Sequence, residues 1–312
     1  MPGMRTVITG GAGFIGSNLV HELAQRQPEI AITVVDDFSC ASFKNLSGYA
    51  GDLIAKPCEE LDWESQFAGE EITCIYHLAS ITDTTIADQR LMTSRNVEGF
   101  RRVLAFAQAR KARLVYASSA ATYGQTNGLM KEDQQPAPAN VYGFSKMILD
   151  NLALAAIAEG SCVVGLRYFN VYGPHEAHKG KMASMVYQLY QQMKTGEAPR
   201  VFKHGEQQRD FVYVKDVVAG TILASHCKHP GIYNVGSGKA TSFNEIIDHL
   251  NGALGTSYQT QYIDNPYEAF YQNQTQADLA LAGVNLGYKP RWLPADGIAD
   301  YVNWLESSNV AD

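Results

Sequence analysis

The sequence predicts an α/β fold: a doubly wound parallel sheet carrying a smaller mixed α/β domain. Three observations lead there. Short Val- and Ile-rich runs alternate with amphipathic stretches through residue 170, a glycine cluster follows the first run, and the pattern loosens after Tyr172. A chain of 312 residues has room for one large domain and a smaller one.

TVITG, ITVVD, CIYHLA, RLVYASS and VVGLRYFN read as strands, because continuous apolar runs of this length suit a sheet covered on both faces. Between them, SNLVHELAQRQ, SRNVEGFRRVLAFAQARK and YGFSKMILDNLALAAIAEG space apolar residues by three and four, the period of a helix with one buried side. This alternation implies right-handed crossovers between parallel strands. Past Tyr172 the reading is a helix over about 182–195, short strands PRVFK and RDFVYV, a helix after Asp216, and GIYNVG. The helix FNEIIDHLNGALG, the strand YQTQYI and a C-terminal helix near 295–305 follow. Residues 1–172 are expected to form the first domain and residues 173–312 mainly the second, with residues 210–240 or thereabouts returning to the first.

Composition narrows the function classes. Apolar residues at 46% and charged residues at 18% fit a soluble globular protein rather than a disordered chain. A net charge of −7 disfavours nucleic acid as a partner, since phosphate neutralisation needs a basic surface. The five cysteines are odd in number, widely spaced and without a C-x-x-C pair, so reduced thiols are expected. His175 and His178 stand three apart, but no carboxylate or Cys completes a ligand set, and no metal is expected. Neither a signal peptide nor an apolar run near the roughly 18 residues of a membrane span is read. A cytoplasmic protein with no membrane partner is the expectation.

TVITGGAGFIGSNLV sets Gly10, Gly11, Gly13 and Gly16 between a strand and a helix. Glycines there permit a tight turn and let backbone N–H groups approach a pyrophosphate at the positive end of the helix, the Rossmann-type arrangement for a dinucleotide. Asp36, twenty residues past Gly16, ends the second strand, where a carboxylate binds ribose hydroxyls and repels a 2′-phosphate. That leans to NAD. Lys44 is close enough in sequence to reach a 2′-phosphate, so NADP stays open.

Tyr142 and Lys146 form Y-x-x-x-K at the start of a long helix, and residues four apart share one face. A cation beside the phenol, helped by an oxidised nicotinamide, lowers the phenol's ordinary value near 10 and makes it an acid/base near neutrality. Ser119, at the end of the strand VYASSAATYG, stands where its hydroxyl can bind the same substrate oxygen; Ser118 is the neighbouring candidate, and strand alternation turns one of the two inward.

TGGAGFIG, SSAATYG, YGFSK, RYFNVYGP and RDFVYVKD together resemble the extended short-chain dehydrogenase/reductase superfamily over nearly the whole chain. Members of it mostly act on nucleotide-activated sugars. The resemblance gives Tyr142 the acid/base role, has Lys146 hold the cofactor ribose and lower the Tyr value, and makes Ser119 an assistant. Ala120 and Ala121 stand where sugar dehydratases of that superfamily carry Asp-Glu, which removes elimination of water and disfavours decarboxylation. Epimerisation remains.

RYFNVYGPHEAHKGKMAS, GEQQRDFVYVKDV and YQNQTQADL are similar, more narrowly, to the ADP-L-glycero-D-manno-heptose 6-epimerases, which invert C6 of a sugar nucleotide made for the lipopolysaccharide core. That resemblance implies a tightly bound nicotinamide cofactor, usually NADP, and a homo-oligomer. It also implies a second proton-transfer lysine at Lys179, which would serve a ketone that has presented its other face. The residues alone equally allow a phosphate-binding or solvated lysine there. Substrate contacts carry over to Asn170, Lys181, Gln188, Phe202, Arg209 and Tyr271. Cofactor contacts carry over to Gly10, Gly13, Phe14, Ile15, Gly16, Asp36, Asp37, Lys44, Asn96, Lys146, Val171 and the segment from Leu78 through Ala79 and Ser80 to Thr82. Arg209 suits a diphosphate as a planar bidentate donor, or else pairs with Asp210 or Asp216. His175, Lys181 and Gln188 depart from the residues common in that family (Arg, a small hydroxyl residue and His) and bear on fine specificity. The rival readings are a UDP-hexose 4-epimerase, which needs no second lysine, and a non-catalytic NAD(P)-sensing regulator on the same fold.

Overall fold

The computed structural model describes residues 4–126, 128–265 and 274–308. Seven parallel strands form the large sheet: β1 (Met4–Thr9), β2 (Ala31–Val35), β3 (Asp52–Ile54), β4 (Glu71–His77), β5 (Arg113–Ser119), β6 (Val163–Tyr168) and, later in the chain, β10 (Gly231–Val235). β7 (Asn170–Tyr172), β9 (Gln208–Tyr213) and β11 (Ala240–Ser242) make a three-stranded mixed sheet, and β8 (Arg200–Phe202) pairs with β12 (Gln261–Ile263). The helices are α1 (Phe14–Arg26), α2 (Trp63–Gln66), α3 (Gln89–Met92), α4 (Gly99–Arg110), α5 (Val141–Ala158), α6 (Met185–Lys194), α7 (Val214–Ala224), α8 (Phe243–Leu254), α9 (Ala280–Leu286) and α10 (Pro294–Ser308).

The large sheet runs β3-β2-β1-β4-β5-β6-β10, so the strand order reverses beside β1, where doubly wound sheets bind ligands. Successive strand residues serve opposite faces. Ile8, Val34, Tyr76, Val115 and Val164 pack on the side of α1 and α7, while Val7, Val35, Ile75, Leu114 and Val163 pack under α4 and α5. Burial on both faces explains why these strands read as unbroken apolar runs.

Several elements differ from the sequence reading. The run VVGLRYFN is two strands: β6 stops at Tyr168, the Phe169 N–H goes to the Val235 carbonyl (3.1 Å), and β7 pairs with β9 in the small sheet. GIYNVG, which lies in the stretch expected to return to the first domain, joins the large sheet as β10, beside β6. α6 begins at Met185, where the Ser184 hydroxyl accepts from Tyr187 N (3.2 Å), and α7 begins at Val214, before Asp216. β3, β11 and α9 had no sequence signal because three to seven residues are too few to show a period.

At 18 residues and a mean hydropathy of 1.3, α5 is by itself long and apolar enough to cross a membrane, which the sequence reading did not register. In the fold it is a core helix. Leu149 and Ala153 pack beneath the sheet, and the same face buries Lys146 and Asp150. Asp150 accepts from Tyr116 Oη (2.8 Å) and pairs with Arg167 Nε (3.0 Å), and that guanidinium also stacks on Tyr123, its carbon 4.7 Å from the ring centre. Removing one partner of such a pair leaves the other as an uncompensated buried charge. Arg167→Met is therefore expected to lower the unfolding free energy by about 3–5 kcal/mol in a urea titration. A variant as stable as the parent would show that Asp150 does not depend on the pair.

Candidate active site

A cavity of about 880 Å³ lies at the carboxyl ends of the large-sheet strands, closed on its far side by the small sheet and the start of α6. One end is built by the glycine turn. Gly10 has φ +67° and Gly16 packs so closely that a Cβ there would stand 2.0 Å from the Gly10 carbonyl oxygen. This packing brings the start of α1 against the turn. Gly13 is the N-cap with no side-chain cap, so the first N–H groups of the helix are left for an anion.

Asp36 follows β2 at the cavity wall, almost wholly buried. Its oxygens accept from Ala12 N and Phe38 N, both at 2.9 Å. Burial raises its pKa above the ordinary carboxylate value, and those two hydrogen bonds oppose the rise. Asp37 accepts from Ser39 and from Arg95 (3.1 Å), and Arg95 also pairs with Glu59 (2.9 Å). Lys56 and Arg95 line this end of the cavity. Neither was identified from the sequence, since they reach the wall through folding rather than through a motif.

Two expected cofactor contacts stand elsewhere. Lys44 is exposed on the 3-10 turn Phe43–Leu46 and does not line the cavity. Asn96 has no exposed surface; it sits in a π-helical turn (Thr93–Glu98) and holds the wall from behind. Its amide accepts from Ile81 N (2.8 Å) and donates to Ile81 O (3.1 Å) and Ser145 Oγ (3.0 Å). The wall it braces includes Leu78, Ala79, Ser80 and Thr82; Phe14, Ile15 and Val171 line the cavity too.

Tyr142 and Lys146 enter from the first turns of α5, which the Asn140 side chain caps by accepting from Gly143 N (2.8 Å). Lys146 is 2% exposed, and its ammonium donates to the Ala117 carbonyl (2.8 Å) and stands 5.8 Å from the centre of the Tyr142 ring. Burial pulls its pKa down to about 7, and Asp150 one turn along opposes this. The Tyr142 phenol is raised, burial outweighing a hydrogen bond with Ser119 that favours ionisation. The expected lowering of the phenol includes an oxidised nicotinamide beside it; in the protein alone burial prevails. Ser119, at the end of β5, faces Tyr142 and also caps the following turn by accepting from Ala121 N (3.1 Å), whereas Ser118 is buried beside Asp150.

The other end of the cavity gathers Asn170, Lys179, Lys181, Gln188 and Arg209. Lys179 is half-buried in the 3-10 turn Ala177–Met182, its ammonium 5.6 Å from the centre of the Phe14 ring. Burial lowers its pKa and Glu176 opposes. Arg209 donates to the Gln208 carbonyl (2.8 Å). The Asp210 carboxylate is taken by Ser237, Gly238 N and Ala277 N, and that of Asp216 by Arg291 N and Trp292 N, so each serves the backbone instead. Phe202 lies on β8, which pairs with β12, and does not line the cavity. Tyr271 lies outside the described residues. Among the described residues no group of three or more His, Cys, Asp or Glu is placed to hold a metal, and the five cysteines are free.

These residues fit a nicotinamide dinucleotide: an uncapped helix start for the pyrophosphate, Asp36 for ribose hydroxyls, and the Lys146 ammonium beside Tyr142. Gly16→Ala is expected to weaken NAD(P) binding at least tenfold by calorimetry, since the turn must open to admit the methyl group. Unchanged affinity would separate the turn from the cofactor.

Comparison with known proteins agrees with this geometry. The model of the NAD dependent epimerase/dehydratase family matches residues 6–236. The ADP-L-glycero-D-manno-heptose-6-epimerase of Helicobacter pylori is 37% identical, with a TM-score of 0.92 over 98% of this chain and 97% of that one. The UDP-glucose 4-epimerase of Thermotoga maritima, solved with UDP-glucose, is 26% identical, with a TM-score of 0.89 over 98% and 100%. The UDP-glucuronic acid 4-epimerase of Bacillus cereus, solved with NAD, is 25% identical, with a TM-score of 0.84 over 97% and 100%. The chain belongs to the NAD dependent epimerase/dehydratase family, within the extended short-chain dehydrogenase/reductases, and is an NAD(P)-dependent nucleotide-sugar epimerase.

Proposed function

We propose that the protein inverts C6 of an ADP-glycero-manno-heptose. The observation that carries this reading is Lys179: a half-buried amine with a lowered pKa, lining the same cavity as Tyr142. The likeness to the Helicobacter pylori enzyme, higher in identity than to the two UDP-sugar epimerases, supports it.

The bound nicotinamide supplies a reversible hydride acceptor. Tyr142, with Ser119 beside it, takes the proton from the sugar hydroxyl as the carbon is oxidised to a ketone. After the ketone has presented its other face, Lys179 supplies the proton to the oxygen as the alcohol re-forms with inverted configuration. In the reverse direction the two exchange roles. Burial suits Lys179 to this work, because it keeps the amine from holding its proton as firmly as a solvated one would. Lys181 and Arg209, which line the cavity, offer positive charge for the diphosphate.

A UDP-hexose 4-epimerase is the second reading, favoured by the two structural relatives that act at C4. Incubation with ADP-D-glycero-D-manno-heptose, followed by NMR of the C6 configuration, is expected to show inversion; unchanged stereochemistry with cofactor-loaded protein contradicts the proposal. Lys179→Met is expected to lower kcat by about 10²-fold or more while leaving cofactor affinity intact. Full epimerisation of either substrate by that variant would return Lys179 to a phosphate-binding or solvated role.

A further inference from the structure

The loop that carries Lys179 is closed from within by one buried carboxylate. Glu176 precedes the 3-10 turn and has no exposed surface. Its Oε1 accepts from Gly173 N (3.0 Å) and Ser184 Oγ (2.9 Å), and its Oε2 from Ser184 N (2.5 Å). Glu176 thus ties the residue after β7 to the N-cap of α6, with Lys179 and Lys181 in the span between. All three partners donate, so the site is built for an ionised carboxylate.

A loop buckle needs acceptors, and an amide or a backbone carbonyl would provide them without bringing a charge out of water. The charge has a use here, because Glu176 also acts on the Lys179 ammonium. The other groups around the two are neutral near pH 7. Tyr187 on α6 and Tyr301 on α10 face Glu176 and are raised, by burial first. His178 faces Lys179 and is lowered, again by burial first. The Phe14 ring on α1 covers the ammonium. Burial raises the pKa of Glu176, and the hydrogen bonds from Gly173 and Ser184 oppose the rise, which leaves Glu176 as the acidic group of this cluster.

We propose that Glu176 is the positioning residue of the second proton-transfer site: it folds the loop so that Lys179 faces the cavity, and it holds that amine in a state able to give a proton. The inference rests on Lys179 acting as proposed above. It makes Glu176 do for Lys179 what Asp150 does for Lys146, opposing the effect of burial from a neighbouring position.

The test reads the amine itself. Competitive acetylation of the cofactor-loaded protein over a range of pH, followed by mass spectrometry of the Lys179 peptide, gives the midpoint at which this lysine loses its proton. Glu176→Gln is expected to move the midpoint down by about one pH unit, with the kcat–pH profile moving the same way. Ser184→Ala, which removes one hydrogen bond and keeps the charge, is expected to leave it in place. Glu176→Asp keeps the charge on a shorter arm; its midpoint is expected to hold while kcat falls about tenfold through misplacement of the loop. A Glu176→Gln midpoint equal to the parent's, or a Glu176→Asp enzyme with parental kcat, overturns the inference even if Lys179→Met is inactive. A fully active Lys179→Met enzyme removes the two-group reading, and this inference with it.

Discussion

Withdrawal of Lys146, Lys179 and Tyr142 from water is the constraint on which the site depends. In each the largest influence is burial, and in each a single neighbour opposes it: Asp150 for Lys146, Glu176 for Lys179, Ser119 for Tyr142. Exposed, these groups would sit near their ordinary values and exchange protons poorly at neutral pH. A buried amine bends its pKa toward neutrality, whereas a buried phenol moves away from it. The phenol accordingly depends on positive charge brought by the bound cofactor, while the two lysines are adjusted by the fold alone.

The fold meets this demand through one change of sheet. β6 ends at Tyr168 and β7 begins at Asn170, so the single residue Phe169 carries the chain from the large sheet to the small one. The glycine turn, Tyr142 and Lys146 belong to the large-sheet side of the cavity. Arg209 belongs to the small sheet, and Lys179 stands in the loop that follows β7. Contacts across this divide hold the halves in register. Asn18 on α1 donates to the Pro174 carbonyl (2.9 Å), and Asn45 donates to the carbonyls of Ala12 (2.9 Å) and His175 (3.3 Å). His175 takes a positive φ of 70° and packs between His21 and Trp304, with ring centres 5.6 and 5.2 Å away.

The sequence displayed most of the large sheet well, because β1, β2, β4, β5 and β6 are each buried on two faces and need an apolar run. The glycine turn and the Tyr-Lys pair were legible for a similar reason: backbone approach demands glycine, and helix geometry fixes a spacing of four. The second half was harder to read. β8, β11 and β12 are three residues each, and the break at Phe169 leaves no mark in VVGLRYFN because both strands are apolar. Residues that act through long-range contacts were missed altogether. Glu176 looked like one more polar residue in PHEAHKGK, and its use of Ser184 and Gly173 exists only once the loop has closed. Arg95 reads as part of an ordinary helix face until the fold brings it to Asp37. Asn96 and Lys44 do not line the cavity, Asn96 bracing its wall from behind and Lys44 standing exposed on a 3-10 turn.

The central claim is that a phenol and an amine serve one carbon from opposite faces. A crystal structure of the protein with cofactor and an ADP-heptose tests it most directly. The account predicts Tyr142 Oη and Lys179 Nζ on opposite sides of the sugar carbon that is inverted, each within hydrogen-bonding reach of a position its oxygen occupies. Lys179 bound to the diphosphate, or turned to solvent with the sugar in place, would contradict it.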